Sequence, residues 1–273
     1  MQQLILGFAF STIISLISYR ARSLSRSGAY AAVLSGGLIF GLGGLPWATL
    51  LLVFFISSSL LSRLFSRQKT GLGEKFSKGS RRDWGQVLAN GGLGALLAVA
   101  NALLPEQFWQ WVAFAGAMAA VNADTWATEL GVLNRTPPRL ITTRQVVERG
   151  ASGGVSLLGT LSGLGGATLI ALFGAVFYTQ EALPPGDLPV FLFAVILGGM
   201  AGTTFDSLLG ATVQAIYYCP VCRKETERHP THSCGTATKQ VRGWHWLDND
   251  LVNIACSLAG ALAAVGIWLI LER

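Results

Sequence analysis

Carboxylates lie inside or beside long apolar stretches of this chain, and their placement is the first indication of chemistry. Asp124 and Glu129 lie near the end of one apolar run, Asp206 lies within another, and Asp250 precedes a third. Ionisable groups are costly inside a bilayer and usually serve a function there. Clustered carboxylates repel one another unless a cation joins them, and hard oxygen ligands suit Mg²⁺. The pattern predicts Asp124, Asp206 and Asp250 as Mg²⁺ ligands and Asp124, Asp206 and Glu129 as catalytic residues.

Cationic and small polar side chains near these acids extend the pattern to phosphate chemistry. In phosphoryl transfer a metal bridges phosphate oxygens, and Lys or Arg offsets the charge that develops in the transition state. The Ser152-Gly153-Gly154 segment begins a predicted helix, whose first backbone N–H groups can hold a phosphate. The same basic residues are also topology signals, so a solvated or lipid-facing role for each stays open. The candidate phosphate-binding residues are Lys75, Arg81, Arg82, Asn90, Arg144, Arg149, Ser152, Gly153 and Asn253.

A Cys/His hairpin occupies residues 217–249. Its Cys219-Pro-Val-Cys222 motif is followed by His229, His232 and Cys234. A C-x2-C pair followed by His and Cys within a dozen residues supplies the four ligands of a tetrahedral structural zinc site. We predict Zn²⁺ held by Cys219, Cys222, His232 and Cys234, with His229 as the other candidate for the His ligand. A reduced, metal-free loop is the alternative.

The elements that position these residues are predicted to be membrane-spanning helices. Hydrophobic residues make up 51% of the 273 residues and charged residues only 12%, which argues against disorder and against a soluble enzyme. A bilayer core needs about 20 apolar residues per helix. We predict an all-α polytopic transmembrane bundle, one integral membrane domain over 1–273, whose short, glycine-rich second span is a candidate re-entrant or broken helix. The eight or so candidate spans are 4–19, 29–40, 47–64, 87–104, 108–130, 153–178, 188–216 and 251–271.

The distribution of Lys and Arg predicts the direction of these spans. All of them except Arg273 lie in, or at the edge of, the loops that follow the first, third, fifth and seventh spans. The positive-inside rule then places these loops, with the Cys/His hairpin, in the cytoplasm or an equivalent compartment and both termini outside. Membrane topology thereby explains the net charge of +6, and no nucleic-acid partner is expected. Spans of opposite direction place their acids toward the same inner face.

Together these segments resemble an integral membrane family that includes the phytyl-phosphate kinases of plants and cyanobacteria. The match is carried by residues 86–92, 123–131, 152–160 and 206–211 and by the hairpin ending near 250–253. The run 123–131, which reads ADTWATELG, is the most distinctive of them. The resemblance covers most of the chain.

The resemblance implies transfer of a phosphoryl group from CTP, or another nucleoside triphosphate, to phytyl phosphate. The product, phytyl diphosphate, would feed tocopherol and phylloquinone synthesis. The expected location is a bacterial plasma or thylakoid membrane, or a plastid envelope. The expected partners are the bilayer, a prenyl phosphate and the nucleotide, and a homo-oligomer is left open.

Two other functions fit parts of the pattern. A CTP-dependent cytidylyltransferase acting on a lipid phosphate needs the same metal and the same acids. A membrane transporter could line its path with acids, but transporters tend to place their sites at the midplane between repeats. Here the polar residues crowd one surface, which counts against transport.

Overall fold

The computed structural model describes residues 1–65, 81–105, 108–177 and 187–272, and most of these are helical. The helices are α1 Gln2–Arg20, α2 Arg26–Leu64, α3 Trp84–Leu103, α4 Phe108–Gly131, α5 Leu157–Val176, α6 Leu188–Thr212 and α7 Asn249–Leu271. The short strands are β1 Arg139–Leu140, β2 Gly154–Val155, β3 Ile216–Cys219, β4 Lys224–Thr226 and β5 Lys239–Arg242. Strand β1 pairs with β2, and β3 lies between β4 and β5, all antiparallel. The predicted helical bundle is confirmed.

The longest helix, α2, is a hairpin of two helical arms. Gly44 leaves the helical conformation with φ 77° and ψ −161°, and Pro46 follows it. A straight helix of 39 residues would be roughly 60 Å long. Yet Arg63, near the end of α2, donates hydrogen bonds to the carbonyl of Ala21 and the hydroxyl of Ser23. Both of these residues precede Arg26, the first residue of α2. The two arms therefore run antiparallel, with the turn at Gly44.

The predicted count of about eight spans is not confirmed. By length and composition, 6 helices of the described residues could cross a membrane, namely all of those above except α4. The expected short span 29–40 is part of the first arm of α2. The expected span 153–178 begins later, at Leu157, because Gly154 and Val155 form β2.

Helix α4 is the centre of the bundle. It packs against α2, α3, α5, α6 and α7, and its side chains are buried continuously from Gln110 to Ala123. A helix buried on all sides needs no polar face, which explains its apolar, alanine-rich sequence. At one end of this core Trp47 stacks on Phe114, with ring centroids 4.4 Å apart.

Small residues bring α4, α6 and α7 into backbone contact. A Cβ atom added to Gly202 of α6 would lie 2.7 Å from the carbonyl oxygen of Cys256 and closer still to the Cβ of Ala120. A Cβ atom on Gly260 of α7 would lie 2.8 Å from the carbonyl oxygen of Gly116. Such contacts between small residues are typical of helices packed within membranes.

The described parts of the loops that carry Lys and Arg lie on one side of the bundle, here called the basic side. Leu24 and Arg82 form a β-bridge between two of these loops. Ser62, near the end of α2, donates a hydrogen bond to Glu129, near the end of α4. This arrangement agrees with the alternation of basic loops, and the assignment of the basic side to the cytoplasm stays a prediction.

Candidate functional site

The close contact of α4, α6 and α7 ends, on the basic side, in two carboxylates. Asp124 follows Ala120 by four residues and Asp206 follows Gly202 by four residues, so each lies one helical turn beyond the tightest contact. Thr203 donates a hydrogen bond to Asp124 Oδ1 over 3.2 Å. Asp206 is close enough to Asp124 for the two carboxylates to repel each other. The structure thus brings together the two acids that the sequence favoured most strongly.

A third carboxylate, Glu227, reaches this pair from the Cys/His hairpin. It also repels Asp206, and it accepts a 3.1 Å hydrogen bond from Gln214 Nε2. Ser152 in turn donates a hydrogen bond to Gln214 Oε1. Within the described ranges, Asp206 Oδ2 is buried and has no hydrogen-bond partner. A buried carboxylate oxygen without a donor is costly, and a bound cation would satisfy it.

Beside Glu227 lies a polar cavity of about 340 Å³. Asp250 lines this cavity together with Glu227 and the cationic side chain of Arg228. The predicted ligand Asp250 therefore lies on the same cavity wall as Glu227, and its role as a Mg²⁺ ligand stays a prediction. Glu227, Gln214 and Arg228 were missed by the sequence analysis, which read the hairpin only as a zinc-binding loop.

Helix α7 connects the cavity to the acid pair. Asp250, Asn253, Ser257 and Gly260 recur every three or four residues and so share one face of the helix. Gly260 contacts α4, and the carbonyl oxygen of Cys256 lies against Gly202, one turn before Asp206. Asn253 lies about one turn from Asp250 on this face, and its role in phosphate binding stays a prediction.

Glu129 lies apart from Asp124. It accepts a 2.8 Å hydrogen bond from Ser62 Oγ and so faces α2, whereas Asp124 faces α6. Five residues correspond to about 140° around a helix, so the two acids of one helix point to different neighbours. The structure does not bring Glu129 into the acid pair.

Three further predicted phosphate-binding residues are the exposed Arg144 and Arg149 and the half-buried Gly153. Arg149 donates to the carbonyl of Arg135 over 3.0 Å. Gly153 has φ 80°, and a Cβ atom there would lie 2.5 Å from Ala211 Cα. Gly153 thus packs tightly against α6. Helix α5 begins only at Leu157, so the expectation that Ser152-Gly153-Gly154 begins a helix was wrong. Lys75 lies outside the described residues.

Arg82 and Asn90 line a different cavity, among α1, α2 and α3, whereas Arg81 is exposed and donates to the carbonyl of Leu24. The Arg82 guanidinium carbon lies 5.3 Å from the ring centroid of Phe54 and 5.4 Å from that of Phe55. Asn90 Nδ2 donates a 3.0 Å hydrogen bond to the backbone within α3. Among the described residues, no hydrogen bond or ion pair joins Arg82 to Asp124 or Asp206.

The predicted zinc ligands come together at the tip of the Cys/His hairpin. One possible ligand atom from each of the four residues lies within 4.8 Å of those of the other three. Within the described ranges, no other group of three or more His, Cys, Asp or Glu residues meets this distance. His232 Nδ1 lies 3.3 Å from Cys234 Sγ, whereas the ring of His229 packs on Tyr217. A hydrogen bond with Thr236 and another with His232 lower the pKa of Cys234 to about 6, which favours the thiolate that a metal binds. The group consists of Cys219, Cys222, His232 and Cys234.

Comparison with known proteins places this arrangement in a family. The family model described as integral membrane protein DUF92 matches residues 9–261. The chain belongs to this family. It is 34% identical to Protein PGR of Arabidopsis thaliana over 94% of this chain and 93% of that protein. It is 35% identical to the uncharacterized membrane protein MJ0933 of Methanocaldococcus jannaschii over 73% of this chain and 78% of that protein.

A more distant relative is Protein VTE6, chloroplastic, of Arabidopsis thaliana. It is 24% identical over 89% of this chain and 64% of that protein. No solved structure matches the chain. Membership of the DUF92 family confirms the resemblance to that integral membrane family and the multi-pass membrane location.

Proposed function

We propose that this DUF92 protein is a membrane-embedded, Mg²⁺-dependent lipid-phosphate kinase. It transfers a phosphoryl group from CTP, or another nucleoside triphosphate, to phytyl phosphate and so forms phytyl diphosphate. The observation that carries the proposal is the pair of carboxylates at the basic side of α4 and α6, in which Asp206 Oδ2 is buried and lacks a hydrogen-bond partner among the described residues. The substrate comes from the resemblance to the phytyl-phosphate kinases.

The two carboxylates of the acid pair are suitable ligands for Mg²⁺. Mg²⁺ is usually held by one or two carboxylates, keeps several waters and bridges substrate phosphates. Asp124 and Asp206 would hold the ion, with Glu227 close behind them. When bound, Mg²⁺ offsets the charge on the transferred phosphoryl group and its bridging oxygens.

The chain's own residues would orient the reactants. Thr203 fixes one oxygen of Asp124, and Gln214 fixes one oxygen of Glu227. Arg228, on the wall of the polar cavity, offers a guanidinium to the nucleotide phosphates. The acceptor is already a phosphate oxyanion, so transfer requires positioning and charge neutralisation rather than a strong general base.

The location of the site suits a substrate with an apolar chain and a charged head. A phytyl chain would lie among the apolar helices, while its phosphate would reach the basic side, where the acids, Asn253 and Arg228 gather. Nucleotide would approach from the same side through the polar cavity.

The decisive experiment incubates the purified protein with phytyl phosphate, Mg²⁺ and each of CTP, UTP, GTP and ATP. Release of nucleoside diphosphate together with phytyl diphosphate is expected from at least one nucleotide. Release of inorganic diphosphate with a CDP-linked lipid would instead identify a cytidylyltransferase. Turnover that survives Asp124→Ala and Asp206→Ala together would refute the assignment of the acid pair.

We further propose that the Cys/His group holds a structural Zn²⁺. The three thiols and one imidazole match the ligands and the closed coordination of structural zinc sites. Zinc there would fix the β3–β4 turn and so the position of Glu227, which follows β4 directly.

A further inference from the structure

A second cavity lies among α1, the two arms of α2 and the start of α3. Its walls are mostly apolar, with side chains such as Phe10, Leu51 and Phe55. Arg82 lines the same cavity at the basic side of the bundle. The apolar walls suit an apolar chain, and the cation at one end suits an anionic group. The cavity therefore fits a ligand that has an apolar chain and one anionic end.

Unlike the nearby Arg63 and Arg81, Arg82 has no hydrogen-bond acceptor for its guanidinium among the described residues. Arg63 donates to Ala21 and Ser23, and Arg81 donates to the carbonyl of Leu24. Arg82 Nη1 is buried, and within the described residues the Arg82 side chain has no hydrogen bond or ion pair. Its guanidinium lies near the rings of Phe54 and Phe55, whose faces attract a cation weakly.

The position of Arg82 is fixed by its backbone. Its N–H donates to the carbonyl of Ser23 over 3.0 Å, and its carbonyl accepts from the N–H of Ser25 over 2.9 Å. Phe54 and Phe55 lie about 14 Å from the end of α2, at 1.5 Å per residue. Because the Arg82 guanidinium lies near their rings, the Arg82 side chain points from the basic side into the bundle. Burial lowers the pKa of Arg82 to about 10, and the group remains charged at neutral pH. A buried charge of this kind is costly unless an anion joins it.

We propose that this cavity binds a lipid phosphate monoester, with the phosphate on the Arg82 guanidinium and the apolar chain between α1, α2 and α3. The planar guanidinium suits two parallel hydrogen bonds to phosphate oxygens. The lipid has either a prenyl chain or the two acyl chains of phosphatidate, since both carry the same headgroup. The inference does not depend on the proposed kinase activity, because it rests on Arg82 and the cavity walls and not on the acid pair.

The test is native mass spectrometry of the full chain in detergent, without nucleotide or Mg²⁺. The protein is titrated separately with geranylgeranyl phosphate, phosphatidate and inorganic phosphate. Since the acid pair repels a phosphate when Mg²⁺ is absent, we expect one lipid phosphate to bind in a 1:1 ratio. Inorganic phosphate should bind far more weakly, because it has no chain. Arg82→Gln is expected to weaken lipid binding roughly tenfold or more. Arg20→Gln, which removes an exposed charge on the same side, is the matched control and is expected to leave binding unchanged.

A second pair of variants tests the apolar part of the cavity. A Cβ atom on Gly91 would point toward Ser35 Oγ at 3.9 Å and Leu51 Cδ1 at 4.0 Å, so Gly91→Leu places a side chain in the cavity. Gly92→Leu adds the same side chain to the same helix outside the cavity and serves as the control. Gly91→Leu is expected to abolish lipid binding, and Gly92→Leu is not.

Three results would overturn the proposal. The first is the absence of binding by either lipid phosphate to the wild-type protein. The second is equal weakening by Arg20→Gln and Arg82→Gln, which would mean attraction by the basic side in general. The third is unchanged binding by a folded Gly91→Leu protein. Because nucleotide is absent, loss of the kinase hypothesis would change none of these outcomes.

Discussion

Replacing Gly202 by alanine tests whether backbone contact between helices sets the geometry of the acid pair. The added methyl group would lie 2.7 Å from the carbonyl oxygen of Cys256 and still nearer to Ala120 Cβ. Nonbonded heavy atoms prefer separations of about 3.5 Å or more, so α6 must move from α7 by roughly 0.8 Å. Neither obstacle is the end of a flexible side chain, so relief requires a helix to move. Overpacking of this kind costs about 1–3 kcal/mol of stability.

The displacement should affect activity more than stability. Asp206 lies one turn from Gly202, and a misplacement of about 1 Å can lower a rate by roughly 100-fold. Gly266→Ala on α7 is the matched control, because no atom outside its own helix lies within 4 Å of the added Cβ. That substitution should stabilise the helix by up to about 1 kcal/mol. Thermal unfolding in detergent and Mg²⁺-dependent nucleotide turnover measure the two effects. Equal behaviour of Gly202→Ala and Gly266→Ala in both assays would refute the reasoning.

Three further predictions follow from the site. Asp206→Asn should lower turnover by about 100-fold or more and leave the fold intact, because it removes the repulsion from Asp124. The control Glu272→Gln, at the exposed end of α7, should change neither turnover nor stability. Unchanged turnover in Asp206→Asn would contradict the assignment of Asp206. Cys222→Ser should lose zinc by elemental analysis whereas Cys256→Ser should retain it, and equal zinc content in both would end the zinc proposal. Glu129→Gln should cost about 1 kcal/mol of stability through its weakened hydrogen bond with little loss of turnover, and a loss as large as that of Asp206→Asn would show that Glu129 acts in catalysis.

The sequence predicted the parts of the site that depend on helix direction and local spacing. Asp124 and Asp206 occur near the same end of apolar runs that point the same way, and the structure brings them together. The spacing of Cys219 and Cys222 likewise predicted a metal-binding turn, and the structure completes the set with the expected His232 and Cys234.

The rest depends on tertiary contacts that hydropathy does not encode. Glu227 reaches Asp206 because β4 pairs with β3, with Thr226 opposite Tyr217, and no periodicity in the hairpin indicates that register. The α2 hairpin was visible as two apolar runs separated by Gly44 and Pro46, but hydropathy does not show whether such a break kinks a helix or reverses it.

The acid pair and the Cys/His hairpin are joined through a small number of contacts. Arg242 of β5 donates to the carbonyls of Gly210 and Ala211 near the end of α6, which satisfies acceptors that the helix leaves free. Gln214 links the same helix end to Glu227. The hairpin therefore places the third carboxylate, whereas glycine contacts between α4, α6 and α7 place the first two. Loss of the proposed Zn²⁺ should then loosen Glu227 while leaving the acid pair in place, so the proposed Zn²⁺ and Mg²⁺ would contribute separately to the same site.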